Sequence, residues 1–296
     1  MNLYFPLKAR HRPPIRIRYF SDFQSSLNCK KKVEQICQSH LIPTYGRDFV
    51  LTDGEDYTHA ILLNYPMPIL TVPKERVVGF AFEPPEYLSI TDEFIEYAKR
   101  YIGKYIVGYS ELPAPFVQGF AYMWHIVPPS LSTKQKICSI MVSEKRITWG
   151  HEYRHRLVEK ILALGLPIDI FGRGCQVYAG VYKNDKRLRG SFKEMDDEMY
   201  ANYMFHIAIE NTSHPHYISE KVLNPLLCGS TPLYWGASQI GEYFPDMTYE
   251  MTGDIDEDMN RIITVVKDPL LFVKKINVSM VRDKTNILKN VLSIVK

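Results

Sequence analysis

The chain lacks long hydrophobic runs, low-complexity blocks and paired cysteine motifs. Among its 296 residues, no stretch approaches the roughly twenty consecutive apolar residues that a membrane-spanning helix needs. The amino terminus shows no contiguous apolar core followed by a small-residue cleavage site, so we expect a soluble protein without a secretory signal. The five cysteines are odd in number and form no C-x-x-C pair. A reducing cytosol is the simplest compartment for them, and we expect a cytoplasmic protein.

The chain also lacks a large excess of charge of either sign. A net charge of +3 is too small to indicate a nucleic-acid partner. The positive residues are instead clustered in a polar loop over 182–193 and in the tail over 273–296. The loop either closes over a phosphorylated ligand or is simply solvated. The tail alternates lysines with aliphatic residues, so we expect it to pack back on the protein, with weak peripheral contact to anionic lipid as the alternative.

Alternating strands and helices predict an α/β protein. Strands are predicted over 15–20, 49–52, 60–63, 77–82, 105–108, 136–143, 205–209 and 231–235, and helices over 24–40, 92–102, 151–164 and 220–228. Consecutive prolines at Pro128 and Pro129 predict a linker over 127–135. Because the alternation continues on both sides of the linker, we predict two doubly wound parallel sheets facing a cleft. The expected domains are 1–126 and 136–296, the second ending in a helical tail.

The segment 205–236 combines groups suited to a phosphorylated ligand in one strand, loop, helix and strand. Glu210 and Asn211 follow the predicted strand, and polar groups at a strand's carboxyl end face the ligand crevice of an open α/β sheet. Ser219 is placed to N-cap the following helix. Backbone N–H groups, the helix dipole and the Lys221 ammonium would then converge on one anion. The segment therefore predicts half of a sugar-nucleotide site.

Three blocks in this segment resemble the shared core of glycosyltransferase family 10, the α1,3/α1,4-fucosyltransferases. The family core is an E-N pair, an aromatic-hydrophobic-S/T-E-K run and a P-hydrophobic-Y-W-G strand, which correspond here to 210–211, 217–221 and 231–236. Three blocks in order over about thirty residues are a far more specific signal than one short motif. The alternative is an ordinary βαβ unit with a capped helix. The motifs that resemble the family extend over roughly 77–245.

The resemblance implies the GT-B fold, in which two Rossmann-like domains face a cleft and the second binds the nucleotide-sugar donor. Arg154 lies in the R-x-x-hydrophobic context of the family arginine that binds the donor pyrophosphate. Arginine suits this role because its planar fork stays charged and binds phosphate bidentately, although a solvated helix-surface arginine is the alternative. Glu210, Asn211 and Tyr217 would contact the donor. The Glu220 carboxylate would repel phosphate if it faced Lys221's anion, so we assign it to the sugar hydroxyls.

A carboxylate upstream is the candidate catalytic base. Glu83 ends a predicted buried strand and precedes two prolines, an arrangement that resembles the family's E-S-P element. The glutamate of that element is the proposed base. Proline replaces the family serine here, and Glu86 offers a second carboxylate, so the choice stays open between the two. Glu83 is preferred because two prolines make its backbone rigid, and burial beside Phe80 and Phe82 would raise its pKa toward neutrality.

The resemblance therefore implies an inverting transferase that moves L-fucose from GDP-fucose to a hydroxyl of an acceptor glycan. The charge of the leaving group would be met by Arg154, Lys221 and the helix amino terminus, so no metal or other cofactor is expected. Two rivals remain. One keeps the reaction with another nucleotide-sugar donor, and the other is a catalytically silent module that binds a glycan or a nucleotide.

One motif points to a different chemistry. His151 to His155 spell H-E-x-x-H, the zinc-protease signature, on a predicted helix that would place both histidines on one face. No third ligand stands out downstream, and the same helix supplies Arg154, so a zinc hydrolase is the less favoured interpretation. The acidic run over 254–258 is predicted to be a solvated face and not a metal site.

Overall fold

A computed structural model describes residues 14–289 except 42–45, 47–48, 85, 89, 109–110 and 194–195. The end of the predicted tail, residues 290–296, lies outside the described residues. Among the described helices, none is long and apolar enough to cross a membrane.

The first part of the chain forms a six-stranded sheet of order β2-β1-β3-β4-β5-β6, with parallel neighbours throughout. Its strands are β1 (Ile15–Ser21), β2 (Phe49–Leu51), β3 (His59–Leu63), β4 (Val77–Phe80), β5 (Lys104–Val107) and β6 (Phe116–Gln118). Its helices are α1 (Ser26–Ser39) and α2 (Asp92–Tyr101). In the middle of the sheet, Val78 pairs with Ile61 on one side and Lys104 on the other.

The second part forms another six-stranded parallel sheet, of order β12-β11-β10-β7-β8-β9. Its strands are β7 (Lys136–Met141), β8 (Ile168–Phe171), β9 (Leu188–Gly190), β10 (Tyr203–Ile209), β11 (Thr231–Trp235) and β12 (Tyr249–Glu250). The helices are α3 (Trp149–Ala163), α4 (Cys175–Tyr178), α5 (Glu198–Ala201), α6 (Glu220–Leu227), α7 (Ile240–Tyr243), α8 (Ile255–Lys267) and α9 (Val278–Lys284).

Strand order reverses once in each sheet. In the first sheet the chain runs from β1 outward to β2 and then returns to β3, and in the second it runs from β7 to β9 and then returns to β10. Loops at the carboxyl ends of strands on either side of such a switch point diverge to opposite faces, and the gap between them is the usual ligand crevice of an open parallel sheet. The fold therefore offers one crevice above β1 and β3 and another above β7 and β10.

Buried side chains join the two sheets. One continuous apolar core runs from α1, through the inner face of the first sheet, to α6 and the tail residues Val281, Ile287 and Leu288. In addition, Asn224 of α6 accepts a hydrogen bond from the Val127 N–H at 2.9 Å. The segment 127–135 contains neither helix nor strand, but the predicted domain boundaries on either side of it stay a prediction.

The predicted tail helix packs back on the protein. The Arg282 guanidinium of α9 donates to the His40 carbonyl at 2.7 Å, and Val281, Ile287 and Leu288 are fully buried. Because these aliphatic side chains lie in the core, they are not available to a lipid surface. This packing agrees with the first of the two expectations for the tail and gives no support to lipid contact.

Two charged segments have defined places in the fold. Most of the acidic run at 254–258 is solvated, as predicted, because Asp254, Asp256 and Glu257 are exposed. Asp258 differs, since it is fully buried and accepts hydrogen bonds from the Gly253 N–H and the Tyr153 hydroxyl. The basic loop does not bring Arg187 to the crevice. Its guanidinium donates to the Leu162 and Leu166 carbonyls at the end of α3, and so it lies at the amino edge of the sheet.

The close contact between β4 and β5 requires a residue without a side chain at position 79. A β-carbon at this position would lie 2.0 Å from the Tyr105 ring, which is fully buried. We expect Gly79→Ala to lower the free energy of unfolding by about 1–3 kcal/mol, because the ring has no space into which to move. Urea denaturation would measure the change. Gly180→Ala is the matched control, since no atom lies within 4 Å of its β-carbon, and an equal midpoint for both variants would contradict the prediction.

Candidate active site

The two switch-point crevices open into one cleft. A cavity of about 450 Å³ is lined by Asp22, Asn64 and Glu83 from the carboxyl edge of the first sheet. Lys145 and Asn211, from the carboxyl ends of β7 and β10, line the opposite wall. Polar and titratable groups from both sheets therefore meet in a concave site, as expected of a ligand-binding cleft.

The end of β10 and the start of α6 are joined by a buried carboxylate. Glu210 is fully buried, and its two oxygens accept hydrogen bonds from the Ser219 N–H at 2.8 Å and the Ser219 hydroxyl at 2.6 Å. The same hydroxyl accepts from the Lys221 N–H and so caps the helix, as predicted. Burial raises the pKa of Glu210, and the Lys221 ammonium opposes this shift. Glu210 thus fixes the amino terminus of α6, whereas its predicted contact with the donor stays a prediction.

Lys221 is held between two carboxylates. Its side chain is only 10% exposed, and its ammonium lies 2.9 Å from Glu220 Oε1 and 3.8 Å from Glu210 Oε2. Burial opposes the charged form, but the two carboxylates outweigh it and raise the pKa of Lys221. Burial also opposes the charged form of Glu220 and by itself would raise its pKa. The Lys221 charge and hydrogen bond outweigh this effect and lower the pKa of Glu220 to about 2. The ion pair is therefore charged near neutral pH.

Glu220 lies on the same side as the Lys221 ammonium, and its assignment to the sugar hydroxyls of the donor stays a prediction. A desolvated ammonium needs a counter-charge, and Glu220 lies beside it. An arriving phosphate would compete with this carboxylate for Lys221.

Arg154 is buried and not a helix-surface residue. It is 3% exposed, and its guanidinium donates to the Asn211 side-chain oxygen at 2.8 Å and to the Gly150 carbonyl at 3.1 Å. Burial lowers the pKa of Arg154, while the nearby Glu210 and Glu220 carboxylates oppose the shift. An arginine stays charged in any protein environment, so this contact holds a guanidinium beside the cavity wall formed by Asn211.

Sequence reasoning missed the role of Gly150 in the first turn of α3. A β-carbon there would lie 1.9 Å from the Glu210 carbonyl oxygen, and the Gly150 N–H donates to the Asn211 carbonyl at 3.0 Å. The amino terminus of α3 therefore rests directly on the end of β10, which brings Arg154 to Asn211. A helix-disfavouring glycine just after the Thr148 cap was the available signal.

Tyr217 lies where the loop before α6 meets the first sheet. It is 5% exposed, and the preceding His216 N–H donates to the Gly108 carbonyl at 2.9 Å. A β-carbon on Gly108 would lie 2.9 Å from the Tyr217 α-carbon. The predicted donor loop is therefore anchored to the carboxyl edge of the opposite sheet, beside the cavity.

The two candidate bases have different surroundings. Glu83 lines the cavity, and its side chain is exposed there. Both carboxylate oxygens of Glu86 instead lie within hydrogen-bond distance of His214 Nε2, at 2.8 and 3.0 Å. The cavity walls desolvate Glu83 and raise its pKa above the usual value of 4.5, while the Lys221 charge opposes the shift. This geometry favours Glu83, and its role as the base stays a prediction.

The histidines of the H-E-x-x-H motif are bonded within the fold. The His151 ring bonds to Thr148 as part of the α3 capping box, and His155, which is fully buried, bonds to the Tyr178 hydroxyl. Burial lowers the pKa of His151 to about 4. Within the described part of the chain, no three His, Cys, Asp or Glu side chains cluster as a metal site would require. The motif thus gains no third ligand from these residues.

Comparison with known proteins identifies the second half of the chain. Residues 131–258 match the family model of glycosyltransferase family 10 (fucosyltransferase), C-terminal domain. The match includes Arg154 and the strand–loop–helix unit that carries Lys221. Residues 131–258 are thus similar to the C-terminal domain of glycosyltransferase family 10, the family that the motifs of the chain resemble.

Individual relatives agree with the family. A putative fucosyltransferase of Acanthamoeba polyphaga mimivirus is 28% identical over 147 residues, which is 45% of this chain and 22% of the relative. An alpha-(1,4)-fucosyltransferase of Arabidopsis thaliana is 42% identical over 102 residues, 31% of this chain and 25% of the relative. The aligned part thus spans a quarter or less of these relatives.

The fold is also known from crystal structures. An alpha1,3-fucosyltransferase solved with GDP-fucose matches 98% of this chain and 92% of its own length, with a TM-score of 0.56 and 12% identity. At this level of identity the match shows the fold alone. The predicted GT-B fold, with two parallel α/β sheets facing a cleft, is confirmed.

The buried ion pairs of Lys221 lead to a prediction about stability. Lys221→Ala leaves the carboxylate of Glu210 buried without its counter-charge, so we expect the free energy of unfolding to fall by about 3–5 kcal/mol at pH 8. The loss should shrink at pH 5, because a protonated carboxyl is easier to bury. Urea denaturation at both pH values measures this. Lys275→Ala, at an exposed position, should stay within about 0.5 kcal/mol of the parent, and a loss as small as this in Lys221→Ala would refute the prediction.

Proposed function

We propose that this chain transfers L-fucose from GDP-fucose to a hydroxyl group of an acceptor glycan, with inversion at the anomeric carbon. One observation carries the proposal. The buried cations Arg154 and Lys221 belong to a family 10 domain, and they lie beside the cleft into which Glu83 opens from the other sheet. Cations for a diphosphate and a carboxylate for a hydroxyl proton are the two functions that such a transfer needs.

The donor would bind on the side of the second sheet. The dipole of α6 favours an anion at its amino terminus, where the Ser219 and Lys221 N–H groups are bound by Glu210 and by the Ser219 hydroxyl. Lys221 emerges from the same turn, and Arg154 lies behind Asn211. A diphosphate entering this site would take over Lys221 from Glu220 and leave that carboxylate to accept hydrogen bonds from donor hydroxyls.

The reaction follows from the placement of charge. Glu83 would take the proton of the acceptor hydroxyl as its oxygen attacks the anomeric carbon. The bond between that carbon and the β-phosphate oxygen breaks, and its electron pair leaves with GDP. Arg154, Lys221 and the dipole at the amino terminus of α6 would stabilise the developing charge, so the proposed step uses no metal. Attack from the side opposite GDP gives inversion.

The acceptor would bind beside the first sheet. Phe23 and Tyr65 line this side of the cavity together with Asp22. Aromatic faces and a carboxylate suit the C–H and hydroxyl groups of a sugar ring, which supports a glycan acceptor.

The predicted cytoplasmic location also stays a proposal. It is supported by the cysteines, which are all buried free thiols.

Donor binding tests the proposal directly. We expect GDP and GDP-fucose, but not UDP, to raise the melting temperature, because a ligand at 100 times its Kd adds about 2.7 kcal/mol of stability. EDTA should leave the shift unchanged. Arg154→Lys should weaken GDP binding about tenfold, since lysine loses the planar fork. Arg156→Lys, at an exposed position of the same helix, is the matched control. Preference for UDP would favour another donor, and loss of binding in EDTA would favour a metal.

Turnover tests the base. Glu83→Gln keeps the side-chain shape and removes proton acceptance, so kcat should fall roughly 10²- to 10⁴-fold while GDP affinity changes little. Glu86→Gln should be mild. Because the pKa of Glu83 is raised above 4.5, it becomes protonated as pH falls through that higher value. As the pH is lowered, turnover of the parent should therefore begin to decline while the pH is still above 4.5.

The outcomes separate the rivals. Full activity of Glu83→Gln would remove it as the base, and a larger loss in Glu86→Gln would transfer the role to that residue. GDP binding by the parent protein without any turnover would favour the catalytically silent module.

A further inference from the structure

Asn64 adopts a backbone conformation that few residues other than glycine adopt. Its φ is 61°, in the left-handed region, where an ordinary side chain clashes with the following carbonyl and asparagine is among the best tolerated. The residue is 6% exposed. It directly follows β3, at the switch point of the first sheet, and lines the cavity. A costly conformation kept at a cleft indicates a local requirement.

Asn64 forms two hydrogen bonds with the strand end that leads to Glu83, and these bonds explain why its conformation is needed. The ladder of β4 ends at Phe80, whose carbonyl accepts from the Asn64 N–H at 2.8 Å. Two residues later, the Phe82 N–H donates to the Asn64 side-chain oxygen at 3.0 Å. Phe82 is buried, so without this acceptor its N–H would be left unpaired. The side chain of Asn64 therefore replaces the missing strand partner immediately before Glu83.

Two further contacts fix Asn64 itself. Its carbonyl oxygen accepts a hydrogen bond from the Tyr105 hydroxyl, and the Tyr105 ring is held over Gly79 in the centre of the sheet. The Asn64 side chain also hydrogen-bonds the Asp22 carboxylate at the end of β1. Asn64 thus connects the ends of β1 and β4 with the Tyr105 side chain of β5 at the wall of the cavity.

We propose that Asn64 is a positioning residue for Glu83. Its side-chain oxygen binds the Phe82 N–H and so fixes the backbone that directs Glu83 into the cleft. The inference rests on the proposed function, in which Glu83 is the base. It also accounts for the residue type. Glycine adopts the same backbone but offers no acceptor, and aspartate offers an acceptor but places a second negative charge beside Asp22.

The primary test is Asn64→Gly, which keeps the left-handed backbone and deletes the acceptor. Release of GDP from GDP-fucose, with water as the acceptor, reports turnover. We expect kcat to fall about ten- to a hundredfold, because a small displacement of a catalytic group has effects of this size. The KM for GDP-fucose and the affinity for GDP should not change. Asn184→Gly is the matched control, since Asn184 also has a left-handed backbone, with φ 66°, at an exposed position, and it should retain full turnover.

Asn64→Asp provides a readout that a merely structural role would not move. Its carboxylate restores the acceptor for the Phe82 N–H, so kcat at high pH should recover above that of Asn64→Gly. The added negative charge should raise the pKa of Glu83, and the acidic limb of the pH–rate profile should shift upward. An unshifted limb, or no recovery at high pH, would overturn the inference.

Double variants distinguish this inference from the proposed function. If Asn64 acts through Glu83, then Asn64→Gly combined with Glu83→Gln is no slower than Glu83→Gln alone. Full activity of Asn64→Gly together with a slow Glu83→Gln would overturn the inference and leave the base in place. Full activity of Glu83→Gln would overturn the base and the inference with it.

A second variant covers the case in which Asn64→Gly does not fold. Tyr105→Phe removes only the hydroxyl that holds Asn64, and we expect kcat to fall several-fold at constant KM. An unchanged kcat would count against the inference.

Discussion

The buried carboxylate of Glu210 is the contact on which the rest of the site depends. It directly follows the central strand β10 and accepts hydrogen bonds from the N–H and hydroxyl groups of Ser219, so the first turn of α6 is held against the sheet. A fully buried charge requires compensation, and the Lys221 ammonium supplies it from the same turn. One side chain thus sets both the place of the helix terminus and the place of the cation, which are the two parts of an anion site.

Such a cluster contributes more to function than to stability. Desolvating several charges cancels much of their attraction, and apolar side chains of the same volume often stabilise a fold as well. What apolar packing cannot supply is charge already oriented before a ligand arrives. Arg154 and Lys221 are held by protein partners within the fold. Little reorganisation is therefore needed when a diphosphate replaces one of these partners.

The cleft depends equally on the way the two sheets are joined. Their switch points face each other, so that Asn64 and Glu83 on one wall oppose Lys145 and Asn211 on the other. Contacts across the cleft, such as Glu86 with His214, lie beside a core that continues from one sheet to the other. Since the reacting groups come from both sheets, this packing decides the distance between base and donor.

The sequence by itself determined the features that depend on neighbouring residues. Apolar runs predicted most of the long strands, with β11 correct at both ends, and the Ser219 cap followed from residue type alone. The short edge strands β6, β9 and β12 carry too few residues to show a pattern. The family blocks then located the donor-side residues because these lie within one short segment of the chain.

Tertiary structure alone decided how distant groups face each other. Glu220 pairs with Lys221 because the site is desolvated, and no local pattern reports desolvation. Gly150 permits a helix to rest on a strand that lies about sixty residues later in the chain, and Asn64 holds a peptide from the next strand. The sequence left two places open for the basic loop, and the direction of β9 places its Arg187 at the edge of the sheet opposite the crevice. These outcomes depend on long-range packing, which residue type and spacing do not encode locally.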